Sequence, residues 1–239
     1  FSNRLGQSQV LHEALSRLKS SPAQPLDSTQ TRIVDAELLS MQHRGVALRG
    51  EQQADFNRTS ERMAALSTGF SNHVLDATQN WSLVVHERAQ LKGVPERALE
   101  ILASAAREAG DQAADGSEPS AAEGPWRLGL DMPRYIPVIT HAEDRSLRET
   151  LYKAQVSRAS SGDLDNAPLI EEILQLRREQ AERLGYANWA ELSLASKMAE
   201  DVSAVESLLE ELRASAMPVA QQELEELRDY AANHGAAET

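Results

Sequence analysis

No cysteine occurs in the 239 residues, so the chain has no disulfide framework and no thiolate to act as metal ligand or nucleophile. That absence fits a reducing compartment, and the expected location is the cytoplasm or an organelle matrix. Basic residues are in deficit: 24 Lys and Arg stand against 37 Asp and Glu, a formal charge of −13. Such a surface repels phosphate backbones and anionic lipid, and no local basic cluster offsets it, so neither nucleic acid nor membrane is expected as a partner. Long apolar runs are missing too. Stretches such as Ile101-Leu102-Ala103 and Ser82-Leu83-Val84-Val85 fall far short of the roughly 20 residues a membrane span needs. There is no Met at position 1, where Phe1 stands, and no basic start followed by an apolar core. The last residues, NHGAAET, come straight off a helical pattern, and both ends read as cut, the expectation being a piece of a longer protein. The length suits one large helical domain or one and a half ordinary ones.

What is present is mostly helical spacing. Val10, Leu11, Leu15 and Leu18 share one helical face, and Ser20-Ser21-Pro22 ends that helix, because proline cannot donate into the ladder. Asp27 and Gln30 form a capping-box pair ahead of a stripe made by Ile33, Val34, Leu38 and Met41, with Gly45 as the stop. From Gly50, the residues Phe56, Met63, Leu66, Phe70 and Val74 recur at helical intervals. The period then changes. Trp81, Leu83 and Val85 alternate with smaller or polar neighbours as a short strand, and Trp126, Leu128 and Leu130 do the same. Pairing of these two strands leaves a helix started by Pro95, with Ala98, Leu99, Leu102 and Ala106 on its buried face, as the excursion between them.

Residues 110–124 are small and acidic and read as a flexible loop. Asp131-Met132-Pro133 opens a short Pro-interrupted helix in preference to a strand. A helix from Asp144 to about Ser160 buries Leu147, Leu151 and Ala154. Another opens at Asn166-Ala167-Pro168 and carries Ile170, Leu174, Ala181 and Leu184 inside, with Gly185 past its end. A brief aromatic helix occupies 186–194, and Ser203 with Glu206 reads as the capping box of a last long helix, kinked at Pro218. The fold class is therefore mostly α with a small two-stranded β element.

Chemistry-bearing patterns are few. The histidines are His12, His43, His73, His86, His141 and His234, and none pairs with another at the His-x-x-x-His spacing that presents two imidazoles to one metal. His12-Glu13 is followed by Ser16, and His86-Glu87 by Gln90, where a zincin helix needs its second histidine. Neighbouring glutamates such as Glu171-Glu172, Glu210-Glu211 and Glu225-Glu226 do not face each other on a helix and read as solvated faces. Aromatics make up 4% of the chain, so Tyr135, Tyr152, Tyr186, Trp81, Trp126 and Trp189 are assigned to packing rather than to ligand binding. No residue is nominated as catalytic, cofactor-binding or metal-binding.

Three long segments carry a resemblance: FSNHVLDATQNW at 70–81, LDMPRYIPVITHAEDRSLRETLYKAQVSRAS at 130–160, and DNAPLIEEILQLRREQAERLGYANWAELSLASKMAE at 165–200. They resemble the zinc-dependent oligopeptidases of the M3 metallopeptidase family, strongest toward the oligopeptidase A branch and also toward thimet oligopeptidase. The resemblance implies a helix-rich enzyme of two lobes around a deep channel, in which one zinc activates water to cleave short peptides internally. Its zinc sits on a His-Glu-x-x-His helix with a further glutamate, C-terminal to anything matched here, and that motif does not occur in these 239 residues. In the complete enzyme the zinc polarises the scissile carbonyl and lowers the pKa of its water, while the motif glutamate accepts the proton.

The expected division of the chain follows from that likeness. Residues 1–109 would be a helical region of the N-terminal lobe, 110–124 a flexible acidic loop, and 125–239 a continuing helical region of the same lobe. The C-terminal catalytic domain, a partner in the complete enzyme, lies outside the sequence, and this segment would be a channel wall that binds no zinc and is inactive alone. The other reading is a non-catalytic helical binding or scaffold module derived from the same family.

Overall fold

The computed structural model describes residues 5–21 and 24–234. In chain order the elements are α1 (Gln9–Ser20), α2 (Ser28–His43), α3 (Gly50–Asn80), β1 (Ser82–Val85), α4 (Glu96–Ala109), β2 (Trp126–Gly129), α5 (Met132–His141), α6 (Arg145–Val156), α7 (Ala167–Arg183), α8 (Trp189–Leu194) and α9 (Val202–Asn233). Single 3-10 turns occupy Arg88–Leu91 and Gly162–Leu164. The architecture is mostly α, with one two-stranded antiparallel sheet among the described residues.

Side-chain caps set several of the helix starts, by accepting from N–H groups that have no partner within the helix. Asp27 opens α2 with the reciprocal pair its sequence signals: its Oδ1 accepts from Gln30 N–H at 2.7 Å, and Gln30 Oε1 accepts from Asp27 N–H at 3.1 Å. Asp131 caps α5, Asp144 caps α6 and Asn188 caps α8. The last helix is capped by Asp201, whose Oδ1 accepts from Ala204 N–H at 2.7 Å, rather than by Ser203. The aspartate sits one residue ahead of the helix and captures the donor first. That helix continues across Pro218 to Asn233.

The chain divides into two compact units, residues 60–174 and residues 1–59 with 175–239. In the first, β1 and β2 pair with Val85 opposite Trp126 and Leu83 opposite Leu128. This places Val85, Trp126 and Leu128 in a core with Leu91, Leu99, Leu102, Tyr135, Val138 and Leu151. The helix between the strands, α4, packs on β2 and on α5. Trp126 is fully buried, and it fits because residue 124 is glycine. A Cβ there would stand 2.6 Å from ring atoms of Trp126, and the backbone φ of +70° also favours glycine. The 110–124 connection is tied at several points: Asp111 N–H donates to Ala106 O at 2.9 Å, Arg107 Nη1 donates to Pro119 O at 2.6 Å, and Ser120 and Gly124 exchange backbone bonds at 2.8 and 3.0 Å.

In the second unit α1 packs on α2, and Val34, Met41, Val46, Phe56, Ala181 and Leu192 are its buried apolar residues. Pro22, expected to end α1, lies outside the described residues, but Ser21 caps α1 where the break was expected.

Four further expectations differ from the structure. Ile33 is 63% exposed although Val34 beside it is buried, because two consecutive helical residues lie about 100° apart and only one can face the core. Ile170 and Leu174, expected inside, are exposed at 44% and 58%. The helix begun at Asp144 ends at Val156, short of Ser160. The chain leaves the helix through Ala159, whose φ of +51° is a left-handed conformation with no place in a right-handed ladder. Tyr152, assigned to packing, is 56% exposed.

The core assignment is measurable by urea unfolding followed by far-ultraviolet dichroism. Leu99→Ala should cost about 3 kcal/mol, since the side chain is fully buried and leaves a cavity. Ile33→Ala should change stability by less than about 0.5 kcal/mol, as expected at an exposed position.

Candidate functional site

The strand pair that buries Val85, Trp126 and Leu128 on one face turns Ser82, Val84, Arg127 and Gly129 toward the other, because side chains alternate along a strand. On that side a polar groove of about 780 Å³ opens within residues 60–174. Its walls come from five elements: Gln79 and Asn80 at the end of α3, Ser82 on β1, Ser104 and Glu108 on the outer face of α4, Arg127 on β2, and Arg134 in the first turn of α5.

The two arginines differ in how they are held. All three Arg127 nitrogens are engaged: Nε and Nη2 donate to the two carboxylate oxygens of Asp111 at 2.7 Å each, and Nη1 donates to Ser82 Oγ at 2.6 Å. The hydrogen bonds from Arg127 hold the Asp111 carboxyl below the usual carboxylate range against the opposing effect of its burial, and the charges of Arg127 and His86 add to them. This pair is half-buried, with side chains 24% and 18% exposed.

Arg134 is different. Its Nε donates to Asp131 Oδ2, while Asp131 Oδ1 caps the Arg134 N–H at 3.3 Å. The guanidinium lies against Gly129, where a Cβ would stand 2.6 Å from both Nε and Nη2. Among the described residues its terminal nitrogens have no hydrogen-bond partner. The sequence reading missed Arg127, Arg134 and Asp111. The local signal available was an Asp and an Arg three apart at a helix entry, which reads equally well as a cap with a surface ion pair.

The histidines are dispersed. His43 Nε2 lies 2.8 Å from the Tyr186 hydroxyl with the rings edge-on, and burial lowers its pKa. His73 Nδ1 lies 3.0 Å from Asn166 Oδ1, and the buried Asn166 amide donates to Phe70 O at 3.1 Å. His234 stacks on Tyr230, His12 is half-buried, and His86 and His141 are exposed. The glutamate pairs engage cations or amides on their own surfaces: Glu172 accepts from Arg62 at 2.5 and 2.6 Å, Glu210 from Arg213 at 2.7 and 2.6 Å, and Glu226 from Gln222 at 2.9 Å. Among the described residues no three His, Asp or Glu side chains gather into a group that could hold a metal ion. Nor is any helix among them long and apolar enough to cross a membrane.

With a helical fold and a polar groove but no metal cluster in the described residues, the class of protein is set by comparison. The model described as Peptidase family M3 matches residues 138–239, and the one described as Neurolysin/Thimet oligopeptidase, N-terminal domain, matches residues 1–53. The chain belongs to peptidase family M3. It is 41% identical over 239 residues to probable cytosolic oligopeptidase A of Arabidopsis thaliana, covering 100% of this chain and 33% of that protein. It is 42% identical over 240 residues to organellar oligopeptidase A, chloroplastic/mitochondrial, of the same plant, covering 100% and 30%. To oligopeptidase A of Escherichia coli (strain K12) it is 36% identical over 237 residues, covering 97% and 33%. The chain thus spans about a third of the length of the curated relatives it matches.

The Asp111–Arg127 pair gives a pH-dependent prediction. A carboxyl whose folded pKa is depressed contributes stability above its unfolded value of about 3.9, and the contribution is lost as pH falls through the folded value. Thermal melts of the wild type and Asp111→Asn should therefore differ most near neutral pH and converge as the pH is taken below about 4. A gap that stays constant on acidification would refute the pairing.

Proposed function

We propose that this chain forms part of a zinc-dependent metalloendopeptidase that cleaves short peptides, and that it contributes substrate-channel wall rather than chemistry. The observation that carries this reading is the family match at both 1–53 and 138–239, joined by 36–42% identity to oligopeptidase A proteins along nearly the whole chain. Zinc would be held outside these residues, and none of the six histidines is given a role in binding it. In this reading 1–109 and 125–239 are successive parts of one helical lobe, the acidic stretch 110–124 is the connection between them, and the catalytic domain is the partner that completes the enzyme. The location proposed is the cytoplasm or an organelle matrix, the names of the two plant relatives covering both.

A second reading, a non-catalytic helical binding module, is favoured by one observation. Helix α9 exposes Leu208, Leu209, Leu212, Val219, Leu224 and Leu227 at 48–65%. It predicts a gene that stops near Thr239; an open frame continuing into a His-Glu-x-x-His helix eliminates it.

Incubated with zinc and a quenched fluorogenic peptide, the purified chain should give no cleavage above blank. Zinc-dependent turnover that a chelator abolishes would overturn the channel-wall reading. The exposed face of α9 also generates an outcome of its own, since apolar patches of this kind drive association. Light scattering should show an average mass that rises with protein concentration, and a combined Leu208→Glu, Leu212→Glu, Leu227→Glu variant should scatter as a monomer. A wild-type chain that stays monomeric at high concentration would refute this.

A further inference from the structure

The groove over the strand pair contains a guanidinium that is fixed but only partly used. Arg134 is pinned by Asp131 at Nε and seated on Gly129, its side chain is 22% exposed, and its two terminal nitrogens remain open on a wall of the groove. An arginine fork held in this way loses little rotamer freedom on engaging a ligand, and its open edge matches the two oxygens of a carboxylate. A simple anion is nonetheless a poor fit. Asp111 neutralises Arg127, Asp131 neutralises Arg134, and Glu108 on α4 leaves the groove with a surplus negative charge.

A ligand with a carboxylate at one end and a cation at the other suits this arrangement. Among the described residues Glu108 accepts a hydrogen bond only from the Ser104 hydroxyl, at 3.3 Å on Oε1, and it stands on a different element from Arg134. The remaining polar groups, the side-chain amides of Gln79 and Asn80 and the Ser104 hydroxyl, offer the donors and acceptors that peptide groups satisfy. We propose that the groove binds a short peptide with free termini, its C-terminal carboxylate on the terminal nitrogens of Arg134 and its ammonium toward Glu108. The choice of a peptide over another zwitterion rests on the peptidase reading above; the groove itself stands on its own residues.

Binding is read without turnover, so its failure leaves the hydrolysis reading intact, and the reverse also holds. The full chain, labelled with nitrogen-15, is titrated with the pentapeptide Ala-Ser-Gly-Ser-Ala while the side-chain amide signals of Gln79 and Asn80 and the backbone signal of Gly129 are followed. Saturable shifts confined to these positions are expected. The C-terminal amide of the same peptide should bind at least about tenfold more weakly, having lost a charge-assisted pair. The N-acetylated peptide and acetate alone should both bind more weakly than the free peptide.

Arg134→Gln should abolish the preference for the free carboxylate. Gly129→Ala should do the same while keeping the charge, because the added Cβ displaces only the flexible end of Arg134. No saturable shift, equal binding of the amide by the wild-type chain, or acetate binding as well as the peptide would each overturn the proposal. The wild-type comparison of acid and amide decides even if a variant fails to fold.

Discussion

Within residues 60–174 the register of a four-residue strand pair is the constraint on which the other features depend. With Val85 opposite Trp126 and Leu83 opposite Leu128, these four side chains point one way and Ser82, Val84, Arg127 and Gly129 lie on the other face. A slip of one residue would exchange the two sets, placing Arg127 in the core and Trp126 in water. So short a pair is not stable by itself. It is held by α4, whose Leu99, Leu102, Ala103 and Ala106 are all buried. Core and groove are thus two faces of one decision, and the helix that secures the core supplies a groove wall from its opposite side.

Trp126 shows what that register costs. Its ring is wholly buried, with Gly124 leaving room on one side and the Arg88 guanidinium 5.8 Å from the ring centroid. Its indole Nε1 is buried without a hydrogen-bond partner in the described residues. A buried unpaired donor costs about 1–3 kcal/mol, whereas an aromatic side chain of this size buries on the order of 200 Å² and gains more than that at about 25 cal/mol per Å². Packing therefore prevails over satisfaction at this position, and the tryptophan is the core residue that its place on the alternating strand indicates.

Much of the fold was legible because its signals are local. The Asp27–Gln30 box, the alternation at 81–85 and 126–130, the proline start of α4 and the glycines at 45 and 185 each act within a few residues, and each marks an element where the structure has one. Burial was less legible, since it depends on which neighbours are present. Ile33, Ile170 and Leu174 have helical spacing but face outward, and periodicity alone cannot say which of two adjacent apolar residues takes the core. The groove was the least legible of all. It needs Asn80, Glu108, Arg127 and Arg134 from four elements, brought together by the strand register, and none of these residues differs locally from an ordinary surface residue.

Helix α9 sets a limit of a different kind. Its 32 residues include no buried one, yet Leu208, Leu212, Val219 and Leu227 recur with the spacing of a buried stripe. Isolated helices gain little from propensity alone, and most helical stability in proteins comes from packing an amphipathic face. Apart from Val202, Val205 and Ala231, which are half-buried, its apolar residues are exposed, so most of α9 must lean on its internal bonds, the Asp201 cap and side-chain pairs such as Glu210 with Arg213 and Gln222 with Glu226. Pairs of that kind contribute only about 0.2–0.5 kcal/mol each in isolated helices. The stripe is therefore where α9 has most to gain from contact, and its stability should respond to whatever covers that face more than to substitutions among its solvated glutamates.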